Sequence, residues 1–147
     1  MIATAWTCSY SDSHKMVGMN LKGHGIDVID LRRIAKFITK NDDFLAGWFT
    51  AAELQELAIR DNRIETIGGR VAAKEATVKA LGTGFAGDVS WQDVEIRSSG
   101  IETPEIVLSG GALRIAQSLG ITRLFLSITH TKSLAMASVI AIDDVRG

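Results

Sequence analysis

The sequence predicts an α+β fold, a small antiparallel sheet packed against one long helix. Residues from about Asn62 to Leu81 carry apolar side chains at helical spacing, and Gly82 follows as a stop. Near the C-terminus, Leu124, Leu126 and Ile128 alternate with Phe125, Ser127 and Thr129, the period of a half-buried strand. Ala135 to Ile142 is a second run of the same kind, close enough to form a hairpin with the first. Antiparallel strands mixed with helices define the class.

In chain order, residues 21 to 29 (LKGHGIDVI) predict a short strand that ends near Asp27. A helix is expected from about Leu31 to Lys40, with Leu31, Ile34, Phe37 and Ile38 as its buried side. Thr50 starts another helix: Thr50 with Glu53 matches a capping box, and Phe49 with Leu54 matches the hydrophobic staple around it. In the long helix, Gly68 and Gly69 each cost on the order of 1 kcal/mol relative to Ala, so its best-defined part runs from Arg70 onward. Val89 to Ile96 and Glu105 to Leu108 are β-prone runs, and Gly111 to Leu119 reads as a helix stopped by Gly120. The hairpin turn falls at His130, Thr131, Lys132 and Ser133.

A chain of 147 residues with 46% hydrophobic and 22% charged side chains has enough apolar material for one core and no signature of disorder. Residues 21–147 are expected to form that single domain, after an N-terminal extension of residues 1–20 with no clear period and no secretion-signal pattern. Met16 or Met19 is an alternative start. The net charge of -1 sets up no global field for nucleic acid or an anionic membrane, and no apolar run reaches the length of a membrane span. Cys8 is the only cysteine, which excludes an internal disulfide and fits a reducing, cytoplasmic compartment.

One glutamate conflicts with the helix that carries it. Glu75 falls in the middle of the apolar face made by Ile64, Ile67, Val71 and Val78. A carboxylate facing burial needs a cation or a metal. Lys79, four residues on, is at the favourable spacing, but such pairs stabilise a helix by only ~0.2–0.5 kcal/mol. Asp27 is a second notable acid, between a strand and a helix; its ordinary reading is a turn or helix-cap aspartate. Two carboxylates with few other ligands suit a hard cation such as Mg²⁺, which would free Lys79 to meet an anion. Arg70 and Lys74 lie on a flank of the same helix, and Lys74 reads as solvated surface. Gly82-Thr83-Gly84 is a helix stop that could also let backbone approach a ligand; it does not match a P-loop. His130, at a strand end, is either structural or a group that moves a proton near phosphates. Arg32, Lys36 and Lys40 share one helix face, beside Arg33, as either a solvated face or a docking stripe for an acidic partner.

The residues match a known family. GHGIDVIDLRRI (residues 23–34), FTAAELQEL (49–57) with RVAAKEATVKALGTG (70–84), and LSITHTKSLAMASVIA (126–141) together resemble the holo-acyl-carrier-protein synthases. These are small trimeric 4′-phosphopantetheinyl transferases, and the resemblance covers roughly residues 21–142. It implies the 4′-phosphopantetheinyl transferase-like fold and transfer of the phosphopantetheine arm of coenzyme A to a serine of an acidic acyl carrier protein, as in fatty acid biosynthesis. The other product would be adenosine 3′,5′-bisphosphate. By the same resemblance Asp27 and Glu75 hold Mg²⁺, and Glu75, Lys79 and His130 are catalytic. Arg70, Lys79, Gly82, His130 and Thr131 meet coenzyme A. Arg32, Arg33, Lys36 and Lys40 meet the carrier, and sites lie between the subunits of a homotrimer. The acceptor of the serine proton stays open between a metal-bound water, Glu75 and His130. One departure is that Thr103 precedes Pro104 where many relatives carry a basic residue. The competing expectation is a non-catalytic module that binds an acidic protein through the basic face, with Glu75 paired to Lys79.

Overall fold

The computed structural model describes residues 18–38, 45–98 and 103–144. Strand β1 (Met19–Asp30) is antiparallel to β5 (Leu134–Asp144), and β5 is antiparallel to β4 (Arg123–His130), giving a three-stranded sheet with β5 in the centre. A separate two-stranded sheet pairs β2 (Val94–Arg97) with β3 (Glu105–Leu108). The helices are α1 (Leu31–Ile38), α2 (Leu45–Trp48), α3 (Ala51–Ala58), α4 (Arg63–Ala80) and α5 (Gly110–Ser118). The α+β class and the antiparallel sheet against a long helix are therefore as expected.

Local chemistry sets the ends of these elements. The Thr50 side chain accepts from the Glu53 backbone N–H and the Glu53 carboxylate accepts from the Thr50 N–H, which is the expected capping box at the start of α3. Helix α4 ends as expected: Gly82 takes φ +75°, and the Gly82 and Thr83 N–H groups donate back to Lys79 and Val78. Gly120 at φ +68° ends α5. The turn between β4 and β5 is closed by Thr131, whose N–H donates to Leu134 O and whose Oγ1 accepts from the Ser133 and Leu134 N–H groups.

Three expectations are corrected. The first strand starts before Leu21, at Met19, and does not end near Asp27; it continues to Asp30, because Val28, Ile29 and Asp30 pair with Met136, Ala135 and Leu134. Asp27 is therefore a mid-strand residue opposite Ala137, not a turn or cap. The capping role falls to Asp30, whose Oδ1 accepts from the Arg32 N–H at 2.9 Å. In the run from Val89 to Ile96, Trp91–Asp93 form a single 3₁₀ turn and only Val94 onward is strand. The C-terminal end of the expected first helix, Lys40 included, lies outside the described residues.

The main core forms where α4 lies on the inner face of the large sheet. Alternate residues of β5 (Ala137, Val139 and Ala141) are buried there against Ala72, Ala73, Ala76 and Val78 of α4, and Ala135 is buried beside Gly68 of the same helix. A second cluster joins Ile34, Phe49, Leu57, Ile67 and Val71 beneath α1, α2 and α3. Contact between β1 and α4 is backbone on backbone. A Cβ on Gly25 would stand 1.8 Å from the Ala76 carbonyl oxygen, and one on Gly23 would stand 2.0 Å from that of Ala80. Gly→Ala at position 25 is expected to destabilise the chain by about 1–3 kcal/mol, because strand and helix must separate to admit the methyl. A denaturant titration of Gly25→Ala checks this, and an unchanged midpoint would contradict it.

Candidate active site

Close approach of β1 to α4 sets the site. Asp27 lies two residues beyond Gly25, on the side of β1 that faces the helix, so its side chain reaches the groups carried by the C-terminal half of α4. Lys79 Nζ donates to Asp27 Oδ1 at 2.7 Å and to the Ile26 carbonyl oxygen at 3.1 Å. Asp27 Oδ2 is buried and has no hydrogen-bond partner among the described atoms. Glu75, one helical turn before Lys79, is half-buried. Its carboxyl is held above the ordinary carboxylate range, chiefly by burial and then by the Asp27 charge, with Lys79 opposing.

Sequence periodicity placed Glu75 correctly as an acid under desolvation. The intrahelical partner it offered, Lys79, is instead committed across the fold to Asp27. What results is two carboxylates and one ammonium in a half-buried place, with one carboxylate oxygen orphaned. A buried unpartnered oxygen is costly unless something fills its lone pairs. Among the described residues no group of three or more His, Cys, Asp or Glu side chains gathers to hold a metal, at this place or any other. Two carboxylates with an orphaned oxygen fit a hard divalent cation that keeps several waters and shares phosphate oxygens.

The remaining predicted residues divide into groups. Arg70 and His130 line one cavity together with Arg60, Asn62, Thr66 and Pro104, and none of Asp27, Glu75 or Lys79 is in its wall. Arg70 is not on a solvated flank: it is 3% exposed, donates to the Glu53 carbonyl oxygen and pairs with Glu56. Thr131 uses its hydroxyl within the hairpin turn. Gly82 is exposed, with open space where a Cβ would stand. Along α1, Arg32 is tied to Asp30 through Nε and Nη2, while Arg33 lines a groove with Glu75, Val71, Phe37, Trp48 and Trp91. Lys36 is exposed, and Lys40 lies outside the described residues.

Reading Lys74 as solvated surface is overturned. Lys74 is fully buried, donating to Glu53 Oε2 at 2.9 Å, to the Trp91 carbonyl oxygen at 3.0 Å and to the Val94 carbonyl oxygen. Glu53 is 1% exposed and its Oε1 accepts from the Ile96 N–H at 3.0 Å. Sequence reasoning saw Glu53 only as a cap. A signal was available: the third position of a short helix whose Leu54 and Leu57 face the core turns the acid inward, where it requires a cation.

Comparison with known proteins defines the class. The profile of the 4′-phosphopantetheinyl transferase superfamily matches residues 23–137. The holo-[acyl-carrier-protein] synthase of Alkaliphilus oremlandii is 43% identical over 122 residues, covering 83% of this chain and 99% of that protein. The corresponding synthase of Koribacter versatilis is 42% identical over 122 residues, covering 82% and 98%. Among solved structures, the synthase from Neisseria meningitidis superposes with a TM-score of 0.76 at 31% identity, over 83% of this chain and 98% of that one. A synthase from Bacillus anthracis in complex with CoA (3′,5′-ADP) gives a TM-score of 0.70 at 34% identity, over 86% and 99%. The chain belongs to the 4′-phosphopantetheinyl transferase superfamily. It is an enzyme of the holo-[acyl-carrier-protein] synthase type within that superfamily.

Proposed function

We propose that this chain transfers the 4′-phosphopantetheine arm of coenzyme A to a serine hydroxyl of an apo acyl carrier protein, in a Mg²⁺-dependent reaction that releases adenosine 3′,5′-bisphosphate. The observation that carries the reading is the cluster of Asp27, Glu75 and Lys79, with its orphaned carboxylate oxygen. The relatives support it: they are named for making a holo carrier protein, and the Bacillus anthracis and Helicobacter pylori structures are described as complexes with coenzyme A.

In this reading the serine oxygen attacks a phosphorus of the coenzyme A diphosphate, the bridging P–O bond breaks, and the bisphosphate leaves. Asp27 and Glu75 would hold Mg²⁺, which when bound lowers the repulsion between nucleophile and diphosphate and stabilises charge on the leaving phosphate. Lys79 adds a second positive charge on the diphosphate. Arg70 and His130 share a cavity with Arg60 and Glu65, in which the cationic side chains would meet the coenzyme A phosphates. Gly82 and Thr131, outside its wall, are proposed as further coenzyme A contacts. That cavity excludes the acidic cluster of the same chain, which favours a site completed by a second subunit. The outer face of the large sheet supports assembly as a homotrimer. Ile26, Val28, Phe125, Leu134, Met136 and Ile140 share that face and are 37–52% exposed, an apolar patch of the kind that marks an interface. We place the enzyme in the cytoplasm, as a single transferase domain whose first strand begins at Met19, two residues before the expected start at residue 21. No helix among the described residues is long and apolar enough to cross a membrane.

The carrier is proposed to dock along α1 through Arg32, Arg33, Lys36 and Lys40. Two of these differ in their surroundings. Arg32 is 79% exposed and already paired with Asp30, whose carboxyl it holds below the usual range through side-chain hydrogen bonds. Arg33 lines the same groove as Glu75. Arg33→Ala is expected to raise the KM for carrier protein about tenfold, leaving the KM for coenzyme A unchanged, whereas Arg32→Ala changes it less than about twofold. Steady-state kinetics with each substrate varied in turn decides between them; equal effects would contradict the ranking.

The test of the function is mass spectrometry of apo carrier proteins after incubation with coenzyme A, Mg²⁺ and this enzyme. The expected result is a gain of the phosphopantetheine mass on the carrier serine. No gain with fatty-acid or polyketide carriers would sink the reading and would favour a binding module.

A further inference from the structure

We propose that Lys79 is a resident cation: it holds Asp27 while the acidic cluster lacks a metal and leaves that carboxylate when a divalent ion arrives. The inference rests on the metal reading given above and concerns what this chain does before the metal is in place. Three observations lead to it. Lys79 Nζ is 2.7 Å from Asp27 Oδ1 and 3.1 Å from the Ile26 carbonyl oxygen, so it sits on one of the two proposed ligands and is anchored there by a strand carbonyl. The other oxygen of that carboxylate is buried without a partner, so the ammonium fills only half of the available lone-pair space. The neighbouring acid, Glu75, pairs with neither.

An ammonium and a divalent ion cannot both sit closely on one carboxylate without strong mutual repulsion. Asp27 is held in a strand that rests backbone to backbone on α4, so it cannot swing away to separate them. Lys79 can: its side chain is 49% exposed and stands on a flexible four-carbon stem. The side chain that yields is therefore Lys79. Its departure relieves the repulsion with an ion seated at the orphaned Oδ2 and delivers a free ammonium beside the site at the moment the metal is loaded. The same lysine thus keeps two acids from repelling each other in the metal-free protein and becomes available for an anion only in the loaded one. All three groups lie on one chain, so this exchange needs no residue from a partner.

The experiment uses the full chain without coenzyme A. Calorimetric titration with MgCl₂ at constant ionic strength is run on the wild type and on Lys79→Met, and the lysine ammonium signals of ¹⁵N-lysine-labelled wild type are followed by NMR, with the Lys79 signal assigned by its loss in the variant. The expected results are Mg²⁺ binding on the order of tenfold tighter to Lys79→Met than to the wild type, and a Lys79 ammonium signal that shifts or broadens on Mg²⁺ saturation while the other lysines stay put. If both proteins bind Mg²⁺ with equal affinity, or the Lys79 signal does not respond at saturation, Lys79 is not displaced and the proposal fails while the metal site stands. If neither protein binds Mg²⁺, the proposal and the metal reading fail together.

Discussion

Replacing Glu75 with Gln is expected to lower Mg²⁺-dependent transfer at least about 100-fold while leaving the metal-free protein folded and slightly more resistant to heat. Glutamine keeps the shape and removes the charge. In the metal-free protein that charge is unfavourable: burial and the nearby Asp27 carboxylate raise the Glu75 pKa above its ordinary 4.5, and Lys79 offsets only part of this. The sign follows from linkage. Because the folded pKa is raised, folding favours the protonated acid, and the ionised side chain subtracts from stability at every pH above the raised value. That penalty fades as pH falls through the raised pKa towards 4.5. Near neutral pH the Gln variant escapes it, so the variant should melt above the wild type in chelator.

Saturating Mg²⁺ should reverse the order. A ligand that binds only the folded state stabilises it by mass action, and only the wild type retains both carboxylates. Melting curves in chelator and in Mg²⁺ should therefore cross between wild type and Glu75→Gln, with the transfer assay falling in parallel. Transfer retained within a few-fold, or equal stabilisation of both proteins by Mg²⁺, would remove Glu75 from the metal role.

Much of this was legible in the sequence where the determinants are local. Thr50 and Glu53 are three residues apart, and a capping box is decided by that spacing, so the start of α3 was readable. The glycine stop at Gly82 and the turn around Thr131 are equally local. Glu75 was legible as an anomaly because its neighbours on the helix face are within the same segment. What failed depends on contacts distant along the chain. Lys79 found Asp27, more than fifty residues away, because Gly23 and Gly25 let β1 lie on the carbonyls of Ala76 and Ala80. A glycine pair in a strand signals a close backbone approach but does not name the backbone that approaches. The strand overran its expected end at Asp27 because residues 28–30 pair with β5, which overrides an aspartate's preference for turns. Lys74 was misread for the same reason: a helical flank is solvent until another element closes over it, and here α3 and β2 do so.

Lys74 also gives the largest expected effect on stability. Its ammonium lies between α3, α4 and β2, donating to Glu53 Oε2, to two backbone carbonyls and over the Phe49 ring at 5.2 Å. Burial pushes its pKa down and the Glu53 charge pushes it back up, so the Lys74 ammonium depends on the carboxylate beside it. Methionine at this position keeps most of the volume and removes every donor. Glu53 would then be a buried carboxylate with only the Thr50 and Ile96 N–H groups, while the Trp91 and Val94 carbonyls lose a partner. Breaking one side of a buried pair costs about 3–5 kcal/mol, a fall in melting temperature of roughly ten degrees in a chain of this size. Lys74→Met combined with Glu53→Gln should recover part of that loss, because a neutral amide still accepts from a backbone N–H and no longer buries a charge. The double variant should therefore be less destabilised than the sum of the two single variants, and strict additivity would show that the pair does not couple. Glu75 follows Lys74 directly on α4, so activity needs separating from stability. At a temperature well below the lowered melting point, transfer by Lys74→Met should stay within a few-fold of the wild type, since Lys74 is sealed from solvent and from any substrate. A collapse of kcat in a still-folded variant would instead assign Lys74 to holding α4, and with it Glu75, in register for the reaction.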